Sequence, residues 1–312
     1  MTVVTCRPNR VAFATLCLSL FFSPQSARAQ AMERDTVDVF FLGNSYVYYN
    51  NLADQLARIS ESLPGPVLRT SHHLHGGYSL RRHLEDGHLP SALETKAPDG
   101  DNWDVVIVQE HSRLGVPYAD DEAGVLGDRA PFLQSAAEVA DMVSEIGAEM
   151  LLYMTWAKES FPGQTGALAR AYAEAGIQHD AGVAPVGLAW DHVRSERPDI
   201  VLFHPDGSHP SPAGTYLAAC ILYAELTGQR PLGASAELYG VEMRTPGVVV
   251  SHDPIPLVRL DPEMASYLQD VAWQLTRRSP PQGSRIWFAR SSHPTIPTQR
   301  GTPPRGIFSL NH

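Results

Sequence analysis

Apolar and polar positions follow two rhythms that take turns along the chain. Val37-Asp38-Val39-Phe40-Phe41-Leu42 is short, apolar and rich in β-formers, as a strand requires. Residues 51–63 then place Leu52, Leu56, Ile59 and Leu63 on one helical face. Residues 67–72 suit a second strand, and 80–93 carry a weaker helical pattern. Asp104-Val105-Val106-Ile107-Val108 is an almost continuous apolar run, the mark of a strand buried on both faces. Residues 130–146 read as an amphipathic helix and 149–155 as the next strand. A helix over 168–181, a short strand over 183–186 and a long apolar helix over 212–226 follow. Asp261-Pro262 opens the last helix, over 264–278. Strands alternating with helices predict an α/β fold: a three-layer α/β/α sandwich around a mostly parallel sheet of about five strands. Residues 228–260 are turn-rich, with a β-like Gly247-Val248-Val249-Val250, and are expected to cover one sheet edge.

The two ends break the rhythm. Arg7 and Arg10 precede an apolar run over 11–22, and Ala27-Arg28-Ala29 offers small residues where a signal peptidase cuts. Residues 1–29 are therefore expected to be an export signal cleaved after Ala29, giving a secreted or periplasmic protein. Residues 30–278 form the folded domain, and 279–312, rich in Pro and Arg, form a loosely ordered tail. No apolar stretch is long enough to span a bilayer once the signal is gone. Of the three cysteines, Cys6 and Cys17 lie in the signal, so Cys220 stands alone and no disulfide framework is expected.

Charge narrows the partners. All 34 acidic residues lie between the two ends, where the arginines of the signal and the tail do not offset them. An acidic body without a basic stripe argues against nucleic-acid binding.

Two short pieces carry candidate chemistry. Phe41-Leu42-Gly43-Asn44-Ser45 runs from a strand into a tight turn, setting a serine at the carboxyl end of a parallel strand, where α/β sheets place their sites. Asp206-Gly207-Ser208-His209-Pro210 precedes a long helix. A serine needs a base, and the base needs a carboxylate on its other ring nitrogen. Neither piece is specific alone. The histidines His72, His73, His75, His83 and His111 match no metal-ligand spacing, so no metal and no cofactor are expected. No Gly-x-Ser-x-Gly elbow, dinucleotide fingerprint or P-loop occurs.

The order of these pieces resembles the SGNH hydrolase superfamily, over about residues 36–278. Gly43-Asn44-Ser45 stands as its first block and Asp206-x-x-His209 as its last. His75-Gly76-Gly77-Tyr78-Ser79 fits the oxyanion-glycine block, with Gly77 favoured. The third block departs: Val108-Gln109-Glu110-His111-Ser112 replaces Gly-x-Asn-Asp and is more similar to the Gln-Gly-Glu-Ser block of carbohydrate acetylesterase branches. The resemblance implies a flavodoxin-like sandwich and catalytic Ser45, Asp206 and His209. It implies an oxyanion hole of the Ser45 and Gly77 N–H groups and the Gln109 amide. Tyr46 and Trp156 are candidate substrate contacts. The expected activity is hydrolysis of short-chain, acetyl-like esters on a small molecule or a carbohydrate. Two alternatives keep the scaffold: acyl transfer to a sugar by the same triad, or a non-catalytic carbohydrate-binding protein.

Overall fold

The computed structural model describes residues 35–114, 125–244, 248–250 and 253–278. The expected signal over 1–29 and the tail over 279–312 lie outside the described residues.

Strand β1 (Thr36–Gly43) pairs in parallel with β2 (Val67–Leu74) and with β3 (Val105–Val108). β4 (Glu149–Tyr153) and β5 (Gly182–Ala184) continue the sheet on the β3 side, again in parallel, in the order β2-β1-β3-β4-β5. The strands are joined by helices: α1 (Ser45–Tyr48), α2 (Leu52–Ser62), α3 (Leu80–Glu85), α4 (Leu89–Leu93), α5 (Ala130–Glu145) and α6 (Thr165–Gln178). α7 (Val186–Glu196), α8 (Pro212–Thr227) and α9 (Pro262–Arg278) complete the layers.

The period of two along β1 builds two cores. Val37, Val39 and Phe41 join one cluster with residues of α2, α7, α8 and α9. Phe40 and Leu42 point the other way, into a second cluster with α3, α4, α5 and α6. The fold is therefore the expected three-layer sandwich on a parallel five-stranded sheet. α8 is apolar on nearly every side because it is sunk in the first cluster: all its residues but Pro212 and Glu225 are buried. Cys220 lies there, fully buried, and burial pushes its thiol pKa far up, so it serves as a small core side chain.

Three expectations need correction. The helical pattern over 80–93 splits into α3 and α4, because Gly87 turns at φ +70° and Pro90 then starts a new helix. α7 has no counterpart in the sequence reading. Val186, Ala189, Trp190 and Val193 are its buried face, at i, i+3, i+4 and i+7, but its first residue is shared with the strand-like 183–186. The described residues of 228–260 add no strand to the edges of the five-stranded sheet. They form an antiparallel pair, β6 (Glu237–Gly240) with β9 (Ile255–Arg259), and a smaller one, β7 (Met243–Arg244) with β8 (Val248–Val249). The first pair packs on α2 and α8. Asp54 of α2 accepts the Val241 N–H at 3.2 Å, and Asn51 Nδ2 donates to the Val241 carbonyl at 2.9 Å.

Candidate active site

β1 ends at Gly43 and the chain turns directly into α1. Asn44 caps that turn, its Oδ1 accepting the Tyr46 N–H at 3.1 Å. Its own N–H donates to Gln109 Oε1 at 3.0 Å, and its Nδ2 donates to the Tyr78 carbonyl at 2.9 Å. One buried asparagine thus joins the ends of β1 and β3 to the loop after β2. Ser45 takes the first position of α1, where a backbone N–H has no intrahelical acceptor.

The second piece is the tip of a hairpin. Phe203 and Pro210 bridge antiparallel, the His204 N–H donates to the His209 carbonyl, and the chain reverses at Gly207, φ +67°. Asp206 Oδ1 accepts the N–H groups of Ser208 and His209, both at 2.9 Å, which leaves Oδ2 for an imidazole. Asn50, in the left-handed region at φ 53°, donates from Nδ2 to the Pro210 carbonyl at 3.0 Å and to Thr215 Oγ1 at 2.9 Å. The hairpin is thereby fastened to the segment that carries Ser45.

These anchors bring the two pieces together. His209 Nε2 lies 2.9 Å from Ser45 Oγ, and His209 Nδ1 lies 2.7 Å from Asp206 Oδ2. An ionised carboxylate can only accept, so Nδ1 carries the hydrogen and Nε2 presents a lone pair to the serine hydroxyl. Burial opposes ionisation of Asp206, but the imidazole and the two backbone donors outweigh it. The carboxyl is held well below its usual range. Tyr49 lies flat on the His209 ring, centroids 4.0 Å apart and planes 11° from parallel, and so limits its rotation. His204 Nδ1 reaches the same Asp206 oxygen at 3.1 Å, but the imidazole at the serine is that of His209.

Gly76 and Gly77 border the cleft over Ser45, a space of about 430 Å³, with Gly77 at φ +70° and nothing within 4 Å of where a Cβ would stand. Tyr46 reaches this cleft by a narrow margin. It is 4% exposed, its ring stacks on Trp156 and its hydroxyl bonds Ser208 Oγ at 2.7 Å.

Two expected site residues fall elsewhere. Gln109 is 1% exposed and does not border the cleft. Its Nε2 donates to the Glu110 carbonyl at 2.5 Å while its Oε1 holds Asn44. Both ends of its amide are thus engaged, with the Asn44 N–H and the Glu110 carbonyl, and its place is behind Asn44 and not at the cleft surface. Trp156 is 1% exposed, sandwiched between Tyr46 and Trp190, and its Nε1 donates to the Ser208 carbonyl at 3.0 Å. It supports the hairpin from below and does not border the cleft. The cleft wall on the third-block side comes instead from His111, Ser112 and Arg113. Asn50 has no counterpart in the sequence reading, which takes Asn44 only as part of its block and Tyr48 and Tyr49 only as a wall facing the acyl group or sugar; the anchoring by Asn44 and the stacking of Tyr49 on His209 come from the structure. The signal for Asn50 was its type, since asparagine is among the few residues that tolerate a left-handed turn.

Glu110 sits beneath this wall, fully buried. Its Oε1 accepts the N–H groups of Leu80 at 3.2 Å and His111 at 2.5 Å, and burial pushes its pKa from 4.5 up to about 7. A folded-state pKa above the unfolded one means that the folded state holds the proton more tightly. Stability is therefore fully present below about pH 4.5 and is lost as pH rises through about 7. Glu110→Gln keeps the acceptor and removes the titration. The variant should match the wild type near pH 4.5 in urea unfolding and exceed it at pH 8, by up to about 3 kcal/mol for the full shift. Parallel loss of stability in both proteins would show that Glu110 ionises normally.

A scan against protein-family models gives no match, and neither does a search of curated proteins. Among solved structures, the chain is similar to a proposed SGNH hydrolase from Slackia heliotrinireducens. Identity is 27% and the TM-score 0.46, over 61% of this chain and 98% of that one. It is also similar to an acetyl xylan esterase, at 14% identity and TM-score 0.43, covering 59% and 96% of the two chains. An acetylxylan esterase from Geobacillus stearothermophilus gives 10% identity and TM-score 0.43, with coverage of 61% and 94%.

Proposed function

We propose that the chain is a serine esterase of the SGNH type that removes short acyl groups, acetyl above all, from a carbohydrate or another polar alcohol. The observation that carries this reading is the single imidazole of His209 bridging the Ser45 hydroxyl and the Asp206 carboxylate. Ser45 Oγ attacks the ester carbonyl as His209 Nε2 takes its proton. The tetrahedral oxyanion is held by the Ser45 and Gly77 N–H groups. The protonated imidazole, steadied by Asp206, then passes the proton to the leaving alcohol oxygen, and an acetyl-Ser45 ester remains. Water repeats the sequence: His209 takes its proton, acetate departs and Ser45 regains its hydrogen.

Tyr46 and Tyr49 pack on the His209 ring and border the cleft beside Ser45, aromatic walls that suit a small acyl group. The alcohol side has more room. A second cleft of about 500 Å³ adjoins the first across Tyr48 and Tyr49, with His204, Met243 and Leu257 among its walls. An aromatic and aliphatic floor with polar edges suits the face of a sugar ring. Export belongs to the proposal too and rests on the pattern of residues 1–29; a mature protein beginning at Gln30 is the expected form.

The test is product analysis on acetylated xylo-oligosaccharide and on nitrophenyl esters of increasing chain length. Acetate release with water as acceptor, falling steeply beyond butyrate, is the expected result. Acetyl transfer to added sugar in place of hydrolysis would favour the transferase alternative. No turnover of any ester would favour the binding-protein alternative.

A further inference from the structure

A second cluster of chemistry-bearing side chains lies outside the Ser45 cleft. His73 is on β2, His83 is in α3, and Asp86 follows the last turn of α3. One donor atom from each lies within 4.8 Å of the other two. Their spacing in sequence hides them, because β2 and α3 reach the spot from different directions.

The hydrogen bonds of His83 decide what the cluster can hold. Its Nε2 lies 3.0 Å from the Gly43 carbonyl. A carbonyl only accepts, so Nε2 carries the hydrogen and Nδ1 is left with its lone pair. That Nδ1 is buried and has no hydrogen-bond partner among the described residues, and the same holds for His73 Nε2. Two buried ring nitrogens without partners, on histidines clustered with a carboxylate, are what a cation site looks like before its ion is drawn in. The bond from the far ring nitrogen to a main-chain carbonyl is the outer contact that metal-binding histidines regularly make.

We propose that His73 Nε2, His83 Nδ1 and Asp86 bind a divalent first-row transition metal, with zinc the best match. Two imidazoles and one carboxylate suit zinc and its neighbours; calcium and magnesium take oxygen donors. The centre of such a triangle lies within about 2.8 Å of each corner, and bound zinc needs about 2.0–2.2 Å, so the donors close in by under an ångström. His75 is the nearest further imidazole, its ring 4.9 Å from that of His73 and 5.7 Å from that of His83. The ion is structural. It ties the sheet-edge strand β2 to α3, and through His83 it steadies the Gly43 carbonyl two residues before Ser45. It touches no substrate, and the proposal stands whether or not the esterase reading does.

Untagged full-length protein, stripped with a chelator and checked for folding by circular dichroism, is titrated with zinc sulfate by calorimetry. One zinc per chain with a micromolar or tighter Kd, no heat with magnesium and a melting temperature raised by a few degrees are expected. The double variant His73→Gln, Asp86→Asn changes partly exposed positions and keeps the buried His83. It should fold and bind at least about 100-fold more weakly. His209→Ala should bind zinc like the wild type, which separates this cluster from the His204, Asp206 and His209 group. No zinc uptake by the folded wild type, unchanged uptake by the double variant, or loss of uptake in His209→Ala would each overturn the proposal.

Discussion

Ser45→Ala and His209→Ala should each lower kcat/KM for nitrophenyl acetate by about 10⁵-fold or more, and the double variant should lose little beyond that. The reason is that the two side chains act as one unit. With the hydroxyl gone, the imidazole has no proton to take; with the imidazole gone, the hydroxyl has no acceptor at 2.9 Å. Asp206→Asn should cost about 10⁴-fold, because an amide can accept from Nδ1 but can also donate to it and set the wrong tautomer. The fold should survive all three changes, since Asp206 and His209 stand on an exposed hairpin and, among the described residues, the Ser45 hydroxyl bonds the His209 imidazole alone. Steady-state kinetics on the single and double variants check this. Additive losses would show that serine and histidine work separately.

Asn44→Ala should be the most damaging change that leaves the triad itself intact. It removes the α1 cap and the Nδ2 bond to the Tyr78 carbonyl, which together hold the Gly76-Gly77 loop against Ser45. Loss of the cap alone costs about 1 kcal/mol of stability. Loss of alignment at an oxyanion donor costs about 10²–10³-fold in kcat, with KM nearly unchanged. Gln109→Ala should reproduce a weaker form of the same defect, because Gln109 Oε1 accepts the Asn44 N–H and so helps to hold Asn44 in place. An Asn44→Ala enzyme with normal kcat would mean that the loop is held by other contacts.

The layers of the fold were legible in the sequence because their signal is periodic. β1 and β3 show alternation or continuous burial, and α8 shows apolar residues on all sides. Ser45, Asp206 and His209 were legible for another reason. Each motif sits within a few residues of itself, so the turn that shapes it is local. Gln109 and Trp156 lie behind the cleft surface, and that is not legible in sequence because it depends on side-chain direction. Sequence places a residue at the end of a strand, but whether its side chain turns into the cleft or back toward Glu110 or Ser208 is decided by neighbours 1 to 52 positions away. The His73, His83 and Asp86 cluster was invisible for the same reason, since it is made by the packing of α3 against the sheet edge. α7 is hard to read in sequence despite its clear period, because Pro185 and the strand-like residues before it mask its start.

The central claim is that Ser45 is an activated nucleophile. The most direct measurement is intact-mass analysis after treatment with a fluorophosphonate, followed by peptide mapping. The account predicts one phosphonyl adduct per chain, on Ser45, formed quickly in the wild type and lost in Ser45→Ala. It predicts slow or absent labelling in His209→Ala, where the hydroxyl has no base. An unlabelled wild-type protein, or an adduct on another residue, would contradict it.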